Sequence, residues 1–402
     1  MRVLLAASAS YVPPRGGATR SNLAWLRTLA AAGHACRIVC GELAAEDERA
    51  RQMREERIGA APFPVFAATD PAARVRLLRE QVREFHPDWV LVSSEDLSHA
   101  LLREASEAAP GRVVYLAHTP QFYPFGPESW NADSRAAAVL ERAAAVVVIS
   151  ASMAEYTRAY LGRAAEIVHP PVYGAPPYPA LGGEMVVMIN PCALKGIGVF
   201  LALAQRFPNL PFGALPGWGT TAADRAALSR LPNVTLLPNV KAIEELLART
   251  RVLLMPSLWL EGFGLIVVEA MLHGVPVIAS DSGGLREAKM GTRHLIPTPR
   301  VTRYEPVYDE RHLPRLIAPP LEIEPWAEAL GQLTGDSERY EEESRASREA
   351  ALRFVSGVRP EALEELLLRL TPARSEAPAC AVEALSPARK ELLLRLMKKR
   401  RA

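Results

Sequence analysis

Short β-branched runs alternate with helix-length segments along most of this chain, and that alternation constrains the fold more than any other feature. "RVLLAA", "ACRIVC", "DWVLVSS", "RVVYLAH" and "AVVVIS" all precede residue 151, with helical patterns such as "TRSNLAWLRTLAAAG" and "AARVRLLREQVREF" between them. The runs are apolar throughout, so each strand is expected to be buried on both faces, as in a parallel sheet covered by crossover helices. The stretch "HPPVYGAPPYPALGGE", residues 169–184, interrupts the pattern with proline and glycine and reads as a stiff connector. The alternation then restarts with "EMVVMIN", "LPFGAL", "NVTLLP", "RVLLMPS" and "VPVIAS". The predicted architecture is therefore α/β, with two doubly wound Rossmann-like domains facing across a cleft.

A length of 402 residues fits this division, because one core of ordinary size does not extend so far. The expected segments are a first domain at 1–168, the linker at 169–184 and a second domain at 185–345. Helices at 346–370 are expected to return to the first domain, and 371–402 to form a linker and a basic amphipathic tail. Lys plus Arg number 47 against 45 Asp plus Glu, so no overall field draws in nucleic acid. Cys36, Cys40, Cys192 and Cys380 show neither metal-ligand nor disulfide spacing and read as reduced thiols. The opening "MRVLLAASAS" is too short for a comfortable signal-peptide core and reads as a first strand. No run approaches the ~18 apolar residues of a membrane span. A soluble, cytoplasmic protein is the expectation.

In open parallel sheets, ligands bind beyond the carboxyl ends of the strands. The unusual residues fall in those loops: "PPRGGATR", "HTPQFYPFGPESW", "NPCALKG", "PGWGT" and "LEGFG". The most informative stretch is "PSLWLEGFGLIVVEAMLHGVPVIAS", Pro256 to Ser280, which places Glu261 and Glu269 eight residues apart in apolar surroundings. An isolated buried carboxylate costs several kcal/mol and needs donors. Taken singly, each acid reads as the partner of a nearby arginine or as a helix cap. Together with the glycines at 262 and 264 and a strand-loop-helix context, they point to a ligand whose hydroxyls supply the donors. The helix start after Gly264 offers unpaired N–H groups and positive dipole to a phosphate. Phe122, Tyr123, Phe125 and Trp130 read equally well as an acceptor wall and as core, and Trp218 as loop packing or pocket edge.

"EGFGLIVVEAM", Glu261 to Met271, resembles the E-x7-E signature of retaining GT-B glycosyltransferases, particularly glycosyltransferase family four. "GVPVIASDSGGLRE" continues the pattern, and "RGGATRSNLAWLRTLAAAGHACRIV" resembles that family's first glycine loop and helix. The resemblance implies roles. Glu269 would accept hydrogen bonds from the nucleotide ribose, and Glu261 would hold a hydroxyl of the transferred sugar. Gly262, Phe263 and Gly264 would present backbone to sugar and phosphate. Lys195 would neutralise the diphosphate, His118 would face the donor sugar, and Gly16 and Gly17 would close over the diphosphate. Where the family carries an arginine five positions before the lysine, this chain has Asn190. Either Lys195 suffices with the helix N-terminus, or another arginine substitutes, with Arg20 and the arginines of "MGTRHLIPTPRVTRYEPVYDERHLPR" as candidates, although that long loop reads better as a surface insertion.

The sequence contains no D-x-D, so preorganised charge from Lys195, backbone N–H groups and the helix dipole is expected to replace a metal. The expected function is retaining transfer from a nucleotide sugar, a UDP-sugar by preference, with no cofactor beyond that co-substrate. "LSPARKELLLRLMKKR" resembles the Leu-Ser-Pro spacer or docking peptide of nonribosomal peptide synthetases. That implies a peptide or polyketide acceptor and a synthetase partner docking through 385–402. A membrane-surface enzyme with a lipid acceptor, and an idle docking module, are the alternatives.

Overall fold

The computed structural model of the chain describes residues 1–11, 14, 16–41 and 63–370. The tail read as a synthetase-docking or lipid-touching segment, and Cys380, lie outside the described residues.

The first sheet consists of β1 (Arg2–Ser10), β2 (Ala35–Gly41), β3 (Val65–Ala68), β4 (Trp89–Ser93), β5 (Val113–Ala117), β6 (Ala145–Val148) and β7 (Glu166–Ile167). Its order is β3-β2-β1-β4-β5-β6-β7, and every pair is parallel. The second sheet consists of β8 (Met185–Ile189), β9 (Phe212–Leu215), β10 (Val234–Leu236), β11 (Thr250–Met255), β12 (Val277–Ser280) and β13 (Leu295–Ile296). It runs β10-β9-β8-β11-β12-β13, again entirely parallel. The two predicted Rossmann-like domains are thus present.

The central strands explain why the apolar runs are continuous. Val3, Leu4, Leu5 and Ala6 are all 0% exposed, and they pair with Trp89, Val90, Leu91 and Val92 of β4. Successive side chains point to opposite faces, so full burial of all four requires helices on both sides. Odd-numbered β1 residues pack against Trp25 and Leu26 of the helix Gly17–Ala31. Even-numbered ones pack against Leu78 and Val82 of the helix Pro71–Phe85.

Each sheet changes winding direction once, between β1 and β4 in the first and between β8 and β11 in the second. At such a switch point the crossovers diverge to opposite faces and leave a crevice at the carboxyl edge. The two crevices face each other. The interface between them is held by Ser150 Oγ donating to Gly262 O at 2.6 Å and by Ala151 N donating to Glu287 Oε2 at 2.7 Å.

Three helices follow: Glu324–Gly335, Ser337–Ser356 and Ala362–Arg369. The expected boundary at residue 345 falls inside the second of these. That helix belongs with the second domain, where Ser344 Oγ donates to Gly274 O at 2.6 Å. The last helix lies on the first domain, with Leu363, Leu366 and Leu367 buried. It accepts from Trp89 Nε1 at Leu367 O (3.1 Å) and joins His34 Nε2 to Glu364 Oε1 at 2.7 Å.

The long loop after β12 differs from the insertion read in the sequence. It holds β13 and an antiparallel hairpin, β14 (Tyr304–Tyr308) with β15 (Pro314–Leu316). Leu313, Leu316 and Tyr304 pack against Cys192, Leu194 and Trp259, which brings this segment to the cleft.

Candidate active site

The second domain's switch point carries the acid-and-cation chemistry. A short 3-10 turn, Ala193–Lys195, follows β8 and ends at Gly196, whose φ of 78° only glycine adopts without strain. A Cβ there would sit 1.9 Å from Pro256 O, so the turn rests directly on the strand that precedes the Glu261 loop. Lys195 Nζ donates to Glu261 Oε1 at 2.5 Å, with side-chain exposures of 15% and 9%. The same carboxylate oxygen accepts from Ser257 Oγ. The lysine ammonium lies over the Trp259 ring, 4.4 Å from its centroid.

Glu269 lies on the helix Leu265–Leu272, and burial raises its carboxyl from the ordinary range, opposed by the Arg20 guanidinium. Arg20 comes from the first domain and bonds both carboxylate oxygens, Nη2 to Oε1 and Nη1 to Oε2 at 3.4 Å. This ion pair crosses the cleft. The arginine partner read for each acid taken singly is found at Glu269, and a lysine takes that place at Glu261. Lys195 satisfies Glu261 and Arg20 satisfies Glu269, because leaving either bare at this depth would cost several kcal/mol.

All but Arg303 of the proposed substitutes for the missing arginine have partners of their own. Arg20 is committed to Glu269, Arg293 to Glu342, Arg300 to Glu128 and Arg315 to Glu305, while Arg311 Nε donates to Thr220 O at 3.1 Å. Among the described residues, Lys195 is the cation placed on Glu261. Asn190 takes a structural role, with φ of 56° and Oδ1 accepting from Gly219 N at 2.8 Å. Its amide nitrogen is buried without a partner.

The glycines sit where the domains meet. A Cβ on Gly262 would lie 1.9 Å from His118 O, so the Glu261 loop meets the β5 loop backbone to backbone. Gly264, with φ of 114°, caps the helix Leu265–Leu272. Gly16 (φ 89°) precedes the helix Gly17–Ala31, and a Cβ on Gly17 would touch Leu265 Cδ1 at 3.2 Å. Phe263 is 1% exposed and stacks on Phe354, so its side chain belongs to the core and only its backbone faces the cleft region.

His118 sits at the end of β5, 7% exposed, with its ring 6.0 Å from Trp25. Its Nε2 lies 2.9 Å from Asn22 Oδ1. Asn22 Nδ2 already donates to Tyr11 Oη (2.6 Å) and Ser93 Oγ (3.0 Å), so Oδ1 is the acceptor and His118 carries its proton on Nε2. Burial holds this imidazole near pKa 3, hence neutral. Nδ1 is left as a buried lone pair without a partner.

Sequence reasoning missed Ser257, Trp259, Asn22, Ser93, Glu95 and the role of Arg20. A weak signal existed for Asn22: the first turns of its helix carry buried Thr19, Ser21 and Asn22 where apolar residues belong. The aromatic loop divides. Tyr123 and Phe125 stack at 4.4 Å in the first domain's core. Phe122 and Trp130 instead begin a chain of rings that reaches Trp259 and Trp218 across the cleft, at 5.7, 5.9 and 5.8 Å. Trp130 Nε1 also donates to Tyr304 Oη at 3.4 Å.

Comparison with known proteins agrees with this geometry. Residues 15–173 match the family model for Glycosyltransferase Family 4, and residues 213–303 match that for Glycosyl transferases group 1. An exopolysaccharide phosphotransferase of Streptomyces coelicolor is 25% identical over 340 residues, covering 80% of this chain but only 33% of its own length. This chain therefore spans about a third of that relative. The structure of Anabaena HepE with UDP and glucose superposes with a TM-score of 0.63 at 16% identity, covering 90% of this chain and 99% of that one. S. aureus TarM, in a complex that includes UDP, gives 0.68 at 10% identity, covering 92% and 99%. At these identities the structural likeness establishes the fold. The fold is thus of the GT-B type, and within it a segment of the first domain matches the Glycosyltransferase Family 4 model and a segment of the second matches the group 1 model.

Proposed function

We propose that the chain transfers a sugar, with retention and without a metal, from a UDP-sugar to a hydroxyl of a small-molecule acceptor. The observation that carries this reading is the Lys195–Glu261 pair at the second switch point, beside the N-terminus of the helix Leu265–Leu272 and against the His118 carbonyl. A diphosphate entering there meets an ammonium and the positive end of the helix dipole, and Glu261 turns to a sugar hydroxyl. The UDP bound in the HepE and TarM structures supports uridine diphosphate as the carrier.

In the transfer, the bond from the anomeric carbon to the β-phosphate oxygen breaks as the acceptor oxygen bonds to the same face. The acceptor proton passes to the leaving phosphate oxygen. Lys195 and the helix N-terminus stabilise the charge that develops on the diphosphate. Glu269 exchanges Arg20 for the ribose diol, which couples nucleotide binding to the contact between domains. His118, neutral and with a free Nδ1, can accept from a donor-sugar hydroxyl but cannot serve as a cation.

A thermal-shift titration with UDP, UDP-glucose, UDP-galactose and UDP-N-acetylglucosamine tests the donor half of the proposal. Stabilisation of ~2.7 kcal/mol is expected at a hundredfold excess over Kd. Retention is read from the anomeric coupling constant of the product by NMR. An inverted product, or indifference to all four compounds, contradicts the reading.

A further inference from the structure

The first domain has a switch point of its own, between β1 and β4, where Tyr11, Ser93 and Glu95 are not used by the donor chemistry. The residue just beyond β1 is Tyr11, and Ser93 ends β4 with Glu95 two positions further on. Tyr11 is 3% exposed and Ser93 1%, so this is a built and enclosed arrangement. Ser93 Oγ donates to Glu95 Oε2 at 2.9 Å, and Tyr11 Oη donates to the same oxygen at 3.4 Å. Asn22 Nδ2 bonds both hydroxyl groups, and Asn22 Oδ1 receives the Nε2 proton of His118. Four elements thus converge through one amide, and among the described residues the network ends in two groups with unused acceptor capacity. One is Glu95 Oε1. The other is His118 Nδ1, buried and unpartnered.

Among the described residues no cation forms an ion pair with Glu95. Burial, opposed only by its two hydroxyl donors, raises its carboxyl to about 7. Glu95 is partly exposed at the edge of this network, and an acid held there by hydroxyl groups accepts further hydroxyl groups readily and repels a phosphate. Crevices at switch points of open α/β sheets are where ligands bind, and this one opens towards the Glu261 loop through His118, whose carbonyl abuts Gly262.

We infer that Glu95 is a specificity-determining residue that holds a hydroxyl of the acceptor next to the reacting one, and that the acceptor presents a neutral polyol or glycoside face. This rests on the donor reading above, with the nucleotide sugar at the second switch point. Glu95 exchanges no proton in the reaction. It fixes the acceptor ring so that a neighbouring oxygen reaches the anomeric carbon, and it has no part in binding UDP.

The test separates acceptor from donor. Wild type, Glu95→Gln, Glu95→Asp and Ser93→Ala are assayed for UDP affinity, for hydrolysis of the best-binding UDP-sugar, and for transfer to a panel of methyl and p-nitrophenyl glycosides. Glu95→Gln keeps the size and the fold, which a melting curve verifies. The expected result is a rise of at least about tenfold in acceptor KM, as for loss of a hydrogen bond to a charged group. UDP affinity and the rate of transfer to water stay unchanged, since water has no second hydroxyl to hold. Ser93→Ala and Glu95→Asp shift acceptor KM in the same direction by less. The inference is overturned if acceptor KM does not move, if UDP affinity and hydrolysis fall in step with transfer, or if wild type binds UDP yet glycosylates nothing in the panel. Failure of wild type to bind UDP at all is a distinct result, which removes the donor reading and this inference with it.

Discussion

The two switch points of this chain are the same piece of topology filled with opposite chemistry. In the second domain an acid is paired with an ammonium at 2.5 Å, beside a helix N-terminus. In the first an acid is held by two hydroxyl groups, with an uncharged imidazole at the other end of the network. On the proposed reading, one crevice takes an anion and the other hydroxyl groups. The fold supplies two equivalent positions, and a handful of loop side chains decides what each receives.

The largest effect that tests this contrast is expected at Lys195. Lys195→Ala removes the fixed charge and leaves Glu261 buried without its cation, so turnover should fall by ~10²–10³, comparable to loss of an oxyanion-hole donor. Steady-state kinetics over a range of UDP-sugar concentrations checks it, with kcat falling more than KM rises.

Glu269→Ala is expected to act on binding instead. Loss of the carboxylate proposed to receive the ribose should weaken UDP by ~10–100-fold, the range for hydrogen bonds to a charged group. Arg20→Ala sharpens the point. If Arg20 and the ribose compete for Glu269, removing the arginine leaves UDP affinity intact or improves it, while Glu269→Ala and the double variant bind equally poorly. Isothermal titration of all three decides.

The two titratable groups of the first switch point should oppose each other in stability. Glu95 binds its proton more tightly folded than unfolded, so its contribution declines as pH rises from ~4.3, the unfolded value, to about 7. His118 binds its proton less tightly folded, so its contribution grows as pH rises from about 3 to ~6.5. Melting curves between those limits should therefore flatten on the alkaline side in Glu95→Gln and on the acid side in His118→Asn. Identical profiles in both variants would mean the network is not electrostatically coupled to folding as drawn.

The smallest expected effect is Tyr304→Phe. It removes one long hydrogen bond from Trp130 at 3.4 Å and leaves the ring contacts, at a cost below ~1 kcal/mol, with kcat unchanged.

What could be read from the sequence follows from where the free energy lies. Both sheets were legible because every central strand is buried on both faces, which forces an uninterrupted apolar run. The edge strands β3, β7 and β13 were not, since they are two to four residues long and partly exposed, and carry no such pattern. The hairpin Tyr304–Leu316 was hidden for a related reason: its strands are short and Val307 and Tyr308 face outward, so only contact with Trp130 and Leu194 gives it a place. At the site, Glu261, Glu269, Lys195 and the glycines stood out through spacing within single loops. Their side-chain partners did not. Arg20 meets Glu269 across 249 positions and Asn22 meets His118 across 96, and no local pattern reports contacts of that range. Tyr123 and Phe125 show the converse, aromatic residues in a rim loop that turn inward to pack.

The central claim is that fixed protein charge, with Lys195 foremost, lets the diphosphate leave. Transfer or hydrolysis of a UDP-sugar, measured in excess EDTA with wild type and Lys195→Ala side by side, addresses it most directly. The account predicts full wild-type turnover under chelation and near-complete loss in the variant. Turnover that collapses with EDTA and returns with manganese, or a variant as fast as wild type, would contradict it.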